Sequence, residues 1–262
     1  MDTEAQFRRF LFINFLFLVS MFLLVFSQSL ISLFVAWDLL GFSSLFLVFF
    51  YRSSFSLSGG ILTGLINRLG DVLLLLLFGL LPCSSRLPLS WGTFILVLVS
   101  ITKSAQLPFS AWLPAAMLAP TPVSALVHSS TLVNAGVYLL FRFLPLEQGL
   151  LSFIGTLTTL FGGLAAFLEV DIKKIIAHST LAHLGIMVSS LGIGQRYLGF
   201  AHLNIHALFK ALLFLAAGTL IHVSYGGQDT RSLCGLGSSS PLVFICFVVS
   251  CFSMCGFVFL SG

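Results

Sequence analysis

Two ionisable residues stand inside apolar stretches of the chain, where their side-chain types suit proton transfer. Lys103 ends an apolar run that begins at Phe94, and a proline-rich segment follows it directly. Asp38 lies in the middle of another apolar run, with no basic residue within four positions. A charged side chain at the centre of a bilayer costs about 2.5–3.5 kcal/mol on insertion scales, so such residues mark functional sites by default. We therefore interpret Lys103 and Asp38 as candidate proton-transfer residues.

Asp38 has a second interpretation, in which it lies at the membrane interface and the span around it begins elsewhere. If Asp38 is buried, it needs a cation from a distant part of the chain, or protonation. Arg68 and Asp71 are three residues apart, so on a helix they face each other. They form either a self-neutralising structural pair or a support for the site, and their spacing favours neither.

A second set of titratable residues recurs at helical spacing. His202, His206 and Lys210 are each four residues apart, which places them in one stripe on a helix. Two histidines at this spacing can bind zinc, but no HExxH glutamate or cysteine accompanies them. A buried stripe of titratable groups is more typical of a proton relay. His128, beside three hydroxyl residues, is either a structural hydrogen-bond donor or part of such a path.

The boundary between two later apolar runs carries four charged residues, Glu169, Asp171, Lys173 and Lys174. Asp171 is in position to cap the helix that follows, and the two lysines can extend to lipid headgroups. A functional role for these charges is the alternative. His178 and His183 follow five residues apart, and this spacing assigns them no role.

The composition excludes a water-soluble domain. Hydrophobic residues make up 58% of the 262 residues and charged residues 8%, with a mean hydropathy of +1.11, whereas soluble domains carry about a quarter charged residues. The net charge of +4 forms no basic patch, so nucleic acid is not an implied partner. The cysteines lack zinc or redox spacing, and we interpret those in the last apolar run as small hydrophobes. They are Cys83, Cys234, Cys246, Cys251 and Cys255.

The elements that position these residues are predicted to be transmembrane helices. Continuous apolar runs predict an all-α, polytopic transmembrane helix bundle rather than a barrel, whose strands would alternate in polarity. Nine spans are predicted, at about 7–27, 29–50, 59–82, 91–107, 122–144, 148–168, 172–193, 197–223 and 241–262. Four of the eight prolines lie between Pro108 and Pro122. They predict a broken or re-entrant helix over 104–121, since irregular backbone at membrane depth must be buried in protein or beside water.

The chain resembles the antiporter-like subunits of respiratory complex I, the NADH:ubiquinone oxidoreductase. The segment 102–131 carries the motifs TKSAQLPF, WLP and APTPVSALVHSST. The motifs NRLGD at 67–71, DIKK at 171–174 and HALFKALLF at 206–214 extend the resemblance over most of the chain.

This resemblance implies an antiporter-like fold and a proton-translocating subunit of NADH:ubiquinone reductase, multi-pass in the mitochondrial inner membrane. Its partners would be lipid, protons and the other membrane subunits of the complex. No redox site is implied in this chain; NADH, FMN, iron–sulfur clusters and ubiquinone belong to the parent complex. The 29 phenylalanines also suit a thymine-rich mitochondrial genome. We expect residues 1–262 to form a single proton-channel domain, truncated at both ends relative to the family.

The resemblance also implies residue roles. Asp38, standing where the family usually has glutamate, would pair with Lys103, and Lys103 would carry protons at the helix break towards His128. His202, His206 and Lys210 would continue the proton path. Arg68 and Asp71 would support it.

Two other functions remain open from the sequence. A stand-alone cation/proton antiporter subunit of the same superfamily would share these motifs. A haem-bearing electron-transfer protein, which belongs to another class, would need histidines aligned on two facing helices.

Overall fold

The computed structural model describes residues 7–51, 53–80, 89–143, 148–233 and 240–257. In these ranges the chain is built from helices, so the predicted all-α class is confirmed. Seven of the described helices are long and apolar enough to span a membrane. Two shorter apolar helices stand where the fourth and ninth spans were predicted, so the count of nine full-length spans is not reached in the described residues.

In chain order, the helices are α1 (Phe7–Phe26), α2 (Leu30–Val48), α3 (Ser54–Leu80), α4 (Leu89–Lys103), α5 (Trp112–Ala116), α6 (Thr121–Phe143), α7 (Gly149–Leu168), α8 (Ile172–Gly192), α9 (Arg196–Val223) and α10 (Pro241–Met254).

Serine caps decide where two of the early helices begin. The Ser29 hydroxyl accepts a hydrogen bond from the Ser32 amide at the start of α2, over 3.1 Å. The Ser53 hydroxyl does the same for the Ser56 amide, also over 3.1 Å. This cap is the reason that α3 begins at Ser54, ahead of the predicted start at 59.

The fourth and ninth predicted spans end differently from the prediction. The fourth was expected to run to 107, but α4 ends at Lys103, because the next residues leave the helical conformation. In the ninth, α10 ends at Met254, and residues 258–262 lie outside the described part of the chain. Cys83 and Cys234 also lie outside it, whereas Cys246 and Cys251 are in α10.

Helices α7 and α8 form a closely packed antiparallel pair. A Cβ added at Gly155 of α7 would lie 2.6 Å from the Ser189 amide nitrogen and 2.8 Å from the Gly185 carbonyl oxygen of α8. Because lipid gives no hydrophobic force between helices, membrane helices associate through such close contacts of small residues.

The bundle is most enclosed around α6 and α8, whereas α1 and α7 present mostly exposed apolar side chains. Lys103 and Lys210 are among the largest side chains that are fully buried, alongside Trp37 and Trp112. The interior therefore contains the cations that the sequence analysis singled out.

Candidate functional site

The break after α4 is built by the backbone itself. Ala105 adopts a φ of 53°, which is uncommon for any residue with a Cβ, and it turns the chain out of the helix. The Gln106 amide then bonds back to the Ile101 carbonyl over 3.1 Å, and the Leu107–Pro108 peptide is cis. The irregular stretch, α5 and the turns that follow it occupy the region predicted to be broken, 104–121.

Residues of three helices, α5, α6 and α7, satisfy and enclose this break. The Trp112 indole donates to the Thr102 carbonyl over 3.0 Å. This bond satisfies one of the carbonyl groups at the end of α4 that have no partner within the helix. The Thr158 hydroxyl of α7 bonds to the Gln106 side chain. At Gly136 of α6 a Cβ would lie 2.7 Å from the Ser100 carbonyl oxygen, so only glycine lets α6 pack directly on α4 here.

Lys103 is fully buried at the point where α4 ends. Its ammonium group donates to the Trp37 carbonyl oxygen of α2 over 2.7 Å and lies 4.2 Å from the centroid of the Trp37 ring. A cation over an indole face is stabilised by the ring quadrupole. Among the described residues, Lys103 forms no ion pair within 4.0 Å.

Asp38 pairs with Arg68 of α3, which corrects the expected contact between Asp38 and Lys103. The same Arg68 guanidinium lies 3.4 Å from Asp71, as their spacing predicts. The side chain of Asp38 is 37% exposed and that of Arg68 is 53% exposed, whereas Asp71 is buried. Arg68 reaches Asp38 because α2 and α3 are neighbours, a proximity that sequence spacing does not reveal.

We call Asp38, Arg68, Asp71 and Lys103 the Lys103 cluster. The Arg68 guanidinium joins both carboxylates, and Asp71 and Lys103 are both buried. Two positive and two negative groups give the cluster no net charge when all are ionised. A neutral group of charges can be kept at membrane depth at a lower cost than an isolated lysine.

His128 lies in a π-helical segment, 124–131, at the start of α6. Its ring is buried, packs edge-on against Trp112 with centroids 6.4 Å apart, and bonds to no described residue through either nitrogen. Its role, as a structural hydrogen-bond donor or as part of a proton path, stays a prediction. The hydroxyls of Ser130 and Thr131 bond to main-chain carbonyls instead. Single π-turns inside α-helices are frequent at functional sites.

Helix α9 presents its predicted stripe to α8. Lys210 is fully buried, and its ammonium group donates to the Ser179 hydroxyl of α8 over 2.6 Å. His206 is also fully buried, and neither ring nitrogen bonds to a described residue. His202 is half-buried, and its Nε2 lies 3.2 Å from Nδ1 of His183.

His183 is the site residue that sequence reasoning missed. Its ring contacts the rings of both His202 and His206, with centroids 5.4 and 5.6 Å apart. We call His183, His202 and His206 the histidine cluster. A signal was present in the sequence, since Ser179 and His183 are four residues apart and so share one face of α8. Only the packing of α8 on α9 shows that this face meets the stripe.

Lys173 also differs from expectation. It does not extend to headgroups but is buried, and it donates to the Ala119 carbonyl at the end of the broken segment over 3.2 Å. Lys174 forms an ion pair with Asp171 over 2.7 Å. Asp171 lies at the N-cap of α8 as predicted, although its side chain makes no capping bond.

Metal binding finds no support in the described part of the chain, where no group of three or more His, Cys, Asp or Glu side chains could hold an ion. The close contact of His183 with His202 also leaves no space for a porphyrin between them. Histidines do occur on two facing helices, but they touch each other directly.

A model of the family described as NADH:quinone oxidoreductase/Mrp antiporter, transmembrane, matches residues 27–262. Proteins named NADH-ubiquinone oxidoreductase chain 5 are 46% identical in Locusta migratoria, 44% in Caenorhabditis elegans and 48% in Artemia franciscana. The alignments cover 100%, 100% and 99% of this chain and 49%, 52% and 50% of those proteins. The chain thus spans about half the length of the curated relatives it matches.

Two solved structures share the fold. The Mrp complex from Dietzia sp. DQ12-45-1b superposes with a TM-score of 0.77 at 28% identity, covering 95% of this chain and 32% of that one. The archaeal membrane-bound sulfane sulfur reductase superposes with a TM-score of 0.81 at 21% identity, covering 93% and 56%. By its helical fold, the match over residues 27–262 and these relatives, the chain belongs to the NADH:quinone oxidoreductase/Mrp antiporter family of transmembrane subunits.

Proposed function

We propose that this chain is a single proton-channel domain of subunit 5 of a mitochondrial NADH:ubiquinone oxidoreductase. It carries protons across the inner membrane, while NADH, FMN, iron–sulfur clusters and ubiquinone react in other subunits. The curated relatives bear that name. The observation that carries the proposal is Lys103, fully buried at a helix break and without a carboxylate in direct contact among the described residues.

The Lys103 cluster supplies the switch in this mechanism. Asp38 alternates between Arg68, where it lies in this structure, and Lys103. When Asp38 moves to Lys103 it stabilises the ammonium form, and when it returns to Arg68 that stabilisation is withdrawn and the lysine releases its proton. Two charges 4 Å apart interact by about 4 kcal/mol at an effective dielectric of 20. One charge crossing 100 mV costs about 2.3 kcal/mol, so the switch is strong enough.

The released proton moves inward to His128, whose ring nitrogens bond to no other described residue and so remain free to accept it. From there the path continues along α9 through His206 and Lys210. Redox energy from the other subunits drives the movement of Asp38, and the present chain performs no electron transfer.

The substitution Lys103→Met in the assembled enzyme tests this proposal. Methionine preserves the shape of the side chain but cannot carry a proton, so coupled turnover should fall by about 100-fold or more, given the usual contribution of a proton-transfer group. Protons pumped per NADH oxidised are measured in sealed vesicles. Lys174→Met is the matched control, because Lys174 lies outside the Lys103 cluster. Normal pumping by Lys103→Met would show that the proposed role is wrong.

A stand-alone cation/proton antiporter subunit is the second candidate, and its support is the similarity to the Dietzia Mrp complex at 28% identity. Purification distinguishes the two. A subunit of the oxidoreductase co-purifies with flavin and iron–sulfur subunits, whereas an antiporter subunit exchanges cations for protons without them.

A further inference from the structure

We propose that His183 is a further proton-carrying residue, which passes protons between α8 and α9 through its contact with His202. This inference rests on the proposed function and extends it, since the path then runs across two helices rather than along α9 alone.

The geometry of the two rings favours direct transfer. Nδ1 of His183 and Nε2 of His202 are 3.2 Å apart, within hydrogen-bonding distance, and the two ring planes are inclined by only 27° with centroids 5.4 Å apart. One nitrogen donates and the other accepts. When His202 is protonated, its Nε2–H bond breaks as the Nδ1–H bond of His183 forms, and the positive charge moves from α9 to α8. His202 is left neutral and ready to accept the next proton.

The surroundings of His183 connect this pair to the enclosed interior of the bundle. His183 and His202 are half-buried, whereas His206 and Lys210 are fully buried. The ring of His183 also contacts His206, and Phe209 covers its edge with centroids 5.4 Å apart. The histidine cluster therefore extends from the partly exposed pair into the closed interior, where His206 offers two nitrogens that bond to no described residue.

Helix α8 contributes a second polar side chain on the face that carries His183. Ser179, one turn before His183, accepts a hydrogen bond from Lys210 over 2.6 Å. Polar groups of α8 thus meet the stripe of α9 at two successive turns, His183 with His202 and Ser179 with Lys210. A purely structural contact would not require a titratable ring at the first of these positions, because an amide can also donate and accept.

The test uses this difference in the assembled, membrane-embedded enzyme. His183→Gln keeps a hydrogen-bonding group beside His202 but cannot carry a proton. We expect coupled turnover to fall about fivefold or more, with a larger effect of D₂O on the rate, since proton transfer becomes limiting. The control is His178→Gln on the same helix, whose ring lies 3.7 Å from Glu169 and outside the cluster. It should behave as the unmodified enzyme.

A second variant distinguishes transfer from structure. His183→Ala opens a space at a half-buried position, and added imidazole should restore turnover there but not in His178→Ala. Normal pumping by His183→Gln would overturn the inference, and so would failure of both His183 variants to assemble. Lys103→Met is measured in parallel. If it abolishes pumping while His183→Gln is normal, only the role of His183 is wrong; if it pumps normally, the proposed function itself fails.

Discussion

Lys103 is held by the main chain and ring of Trp37, while the guanidinium of Arg68 occupies the carboxylate of Asp38. In the proposed mechanism, Arg68 and Lys103 compete for this one carboxylate. Among the described residues, the direct partners of Lys103 are a carbonyl oxygen and an aromatic face, and no carboxylate touches it. In the proposed mechanism, movement of Asp38 between these two cations changes the state of the Lys103 cluster.

Removing the competitor should hold Asp38 on Lys103. In Arg68→Gln we expect the lysine to retain its proton and coupled turnover to fall about fivefold, which corresponds to ~1 kcal/mol, the upper range for a partly exposed ion pair. The measurement is NADH oxidation together with vesicle acidification. Arg9→Gln is the control, because Arg9 is exposed on α1. Unchanged turnover in Arg68→Gln would argue against competition for Asp38.

The residue types of the site were predictable, but their partners were not. The stripe on α9 follows from the fixed period of a helix, and the pair Arg68–Asp71 follows from spacing of three. The partner of Asp38 depends on which helices are neighbours, and 30 residues separate it from Arg68. For the same reason spacing could not reveal that Lys173 turns inward to Ala119.

The helix pair α7–α8 supports both halves of the site. Thr158 of α7 bonds to Gln106 in the break, and α8 carries Ser179 and His183. The close approach at Gly155 fixes the distance between the two helices. Separation of this pair would therefore disturb the Lys103 break and the histidine cluster together.

Gly155→Ala tests this coupling. Its Cβ would meet main-chain atoms of α8 at 2.6 and 2.8 Å, so the helices must separate, at a cost of about 1–3 kcal/mol, the usual cost of overpacking. We expect a lower temperature of thermal inactivation and reduced turnover. Gly163→Ala on the same helix is the control, since a Cβ there meets nothing within 4 Å. Equal inactivation temperatures and equal turnover of the two variants would contradict the role of close packing between α7 and α8.

The helix break was predictable from its prolines, whereas its details were not. Proline without an N–H explains why regular helix does not pass through 108. Helix α4 ends at Lys103 because Ala105, a buried residue with no preference for positive φ, turns the chain out of the helix. The π-helical turn around His128 likewise has no composition that distinguishes it from an α-helix.

The outer surface of the molecule is formed largely by apolar side chains. On α7, for example, Leu160 is 65% exposed and Phe167 is 88% exposed. Composition alone predicts this arrangement, because a chain with 8% charged residues has too few polar side chains to cover a surface in water. The assignment to a membrane therefore needed no structure, whereas the enclosure of α6 and α8 by the other helices did.

A charge placed on this outer surface should hinder insertion. Leu160→Arg, near the middle of α7, should cost about 2.5–3.5 kcal/mol on insertion scales and lower the amount of membrane-integrated subunit. Alkaline extraction followed by quantification of the pellet measures this amount. Leu160→Met should leave it unchanged. Normal integration of Leu160→Arg would indicate that this face of α7 meets a polar partner rather than lipid.

The contacts of Lys103 also give the site an optical signal of its own. The chain has three tryptophans, and two of them, Trp37 and Trp112, are fully buried against this break, whereas Trp91 is 59% exposed. One indole lies beneath the ammonium group, and the other bonds to the carbonyl next to it and packs on His128. Indole emission responds to nearby charge, so gain or loss of a proton at Lys103 should alter the fluorescence of these two rings. The intrinsic spectrum of the subunit would thus report on the residue at the centre of the proposed mechanism.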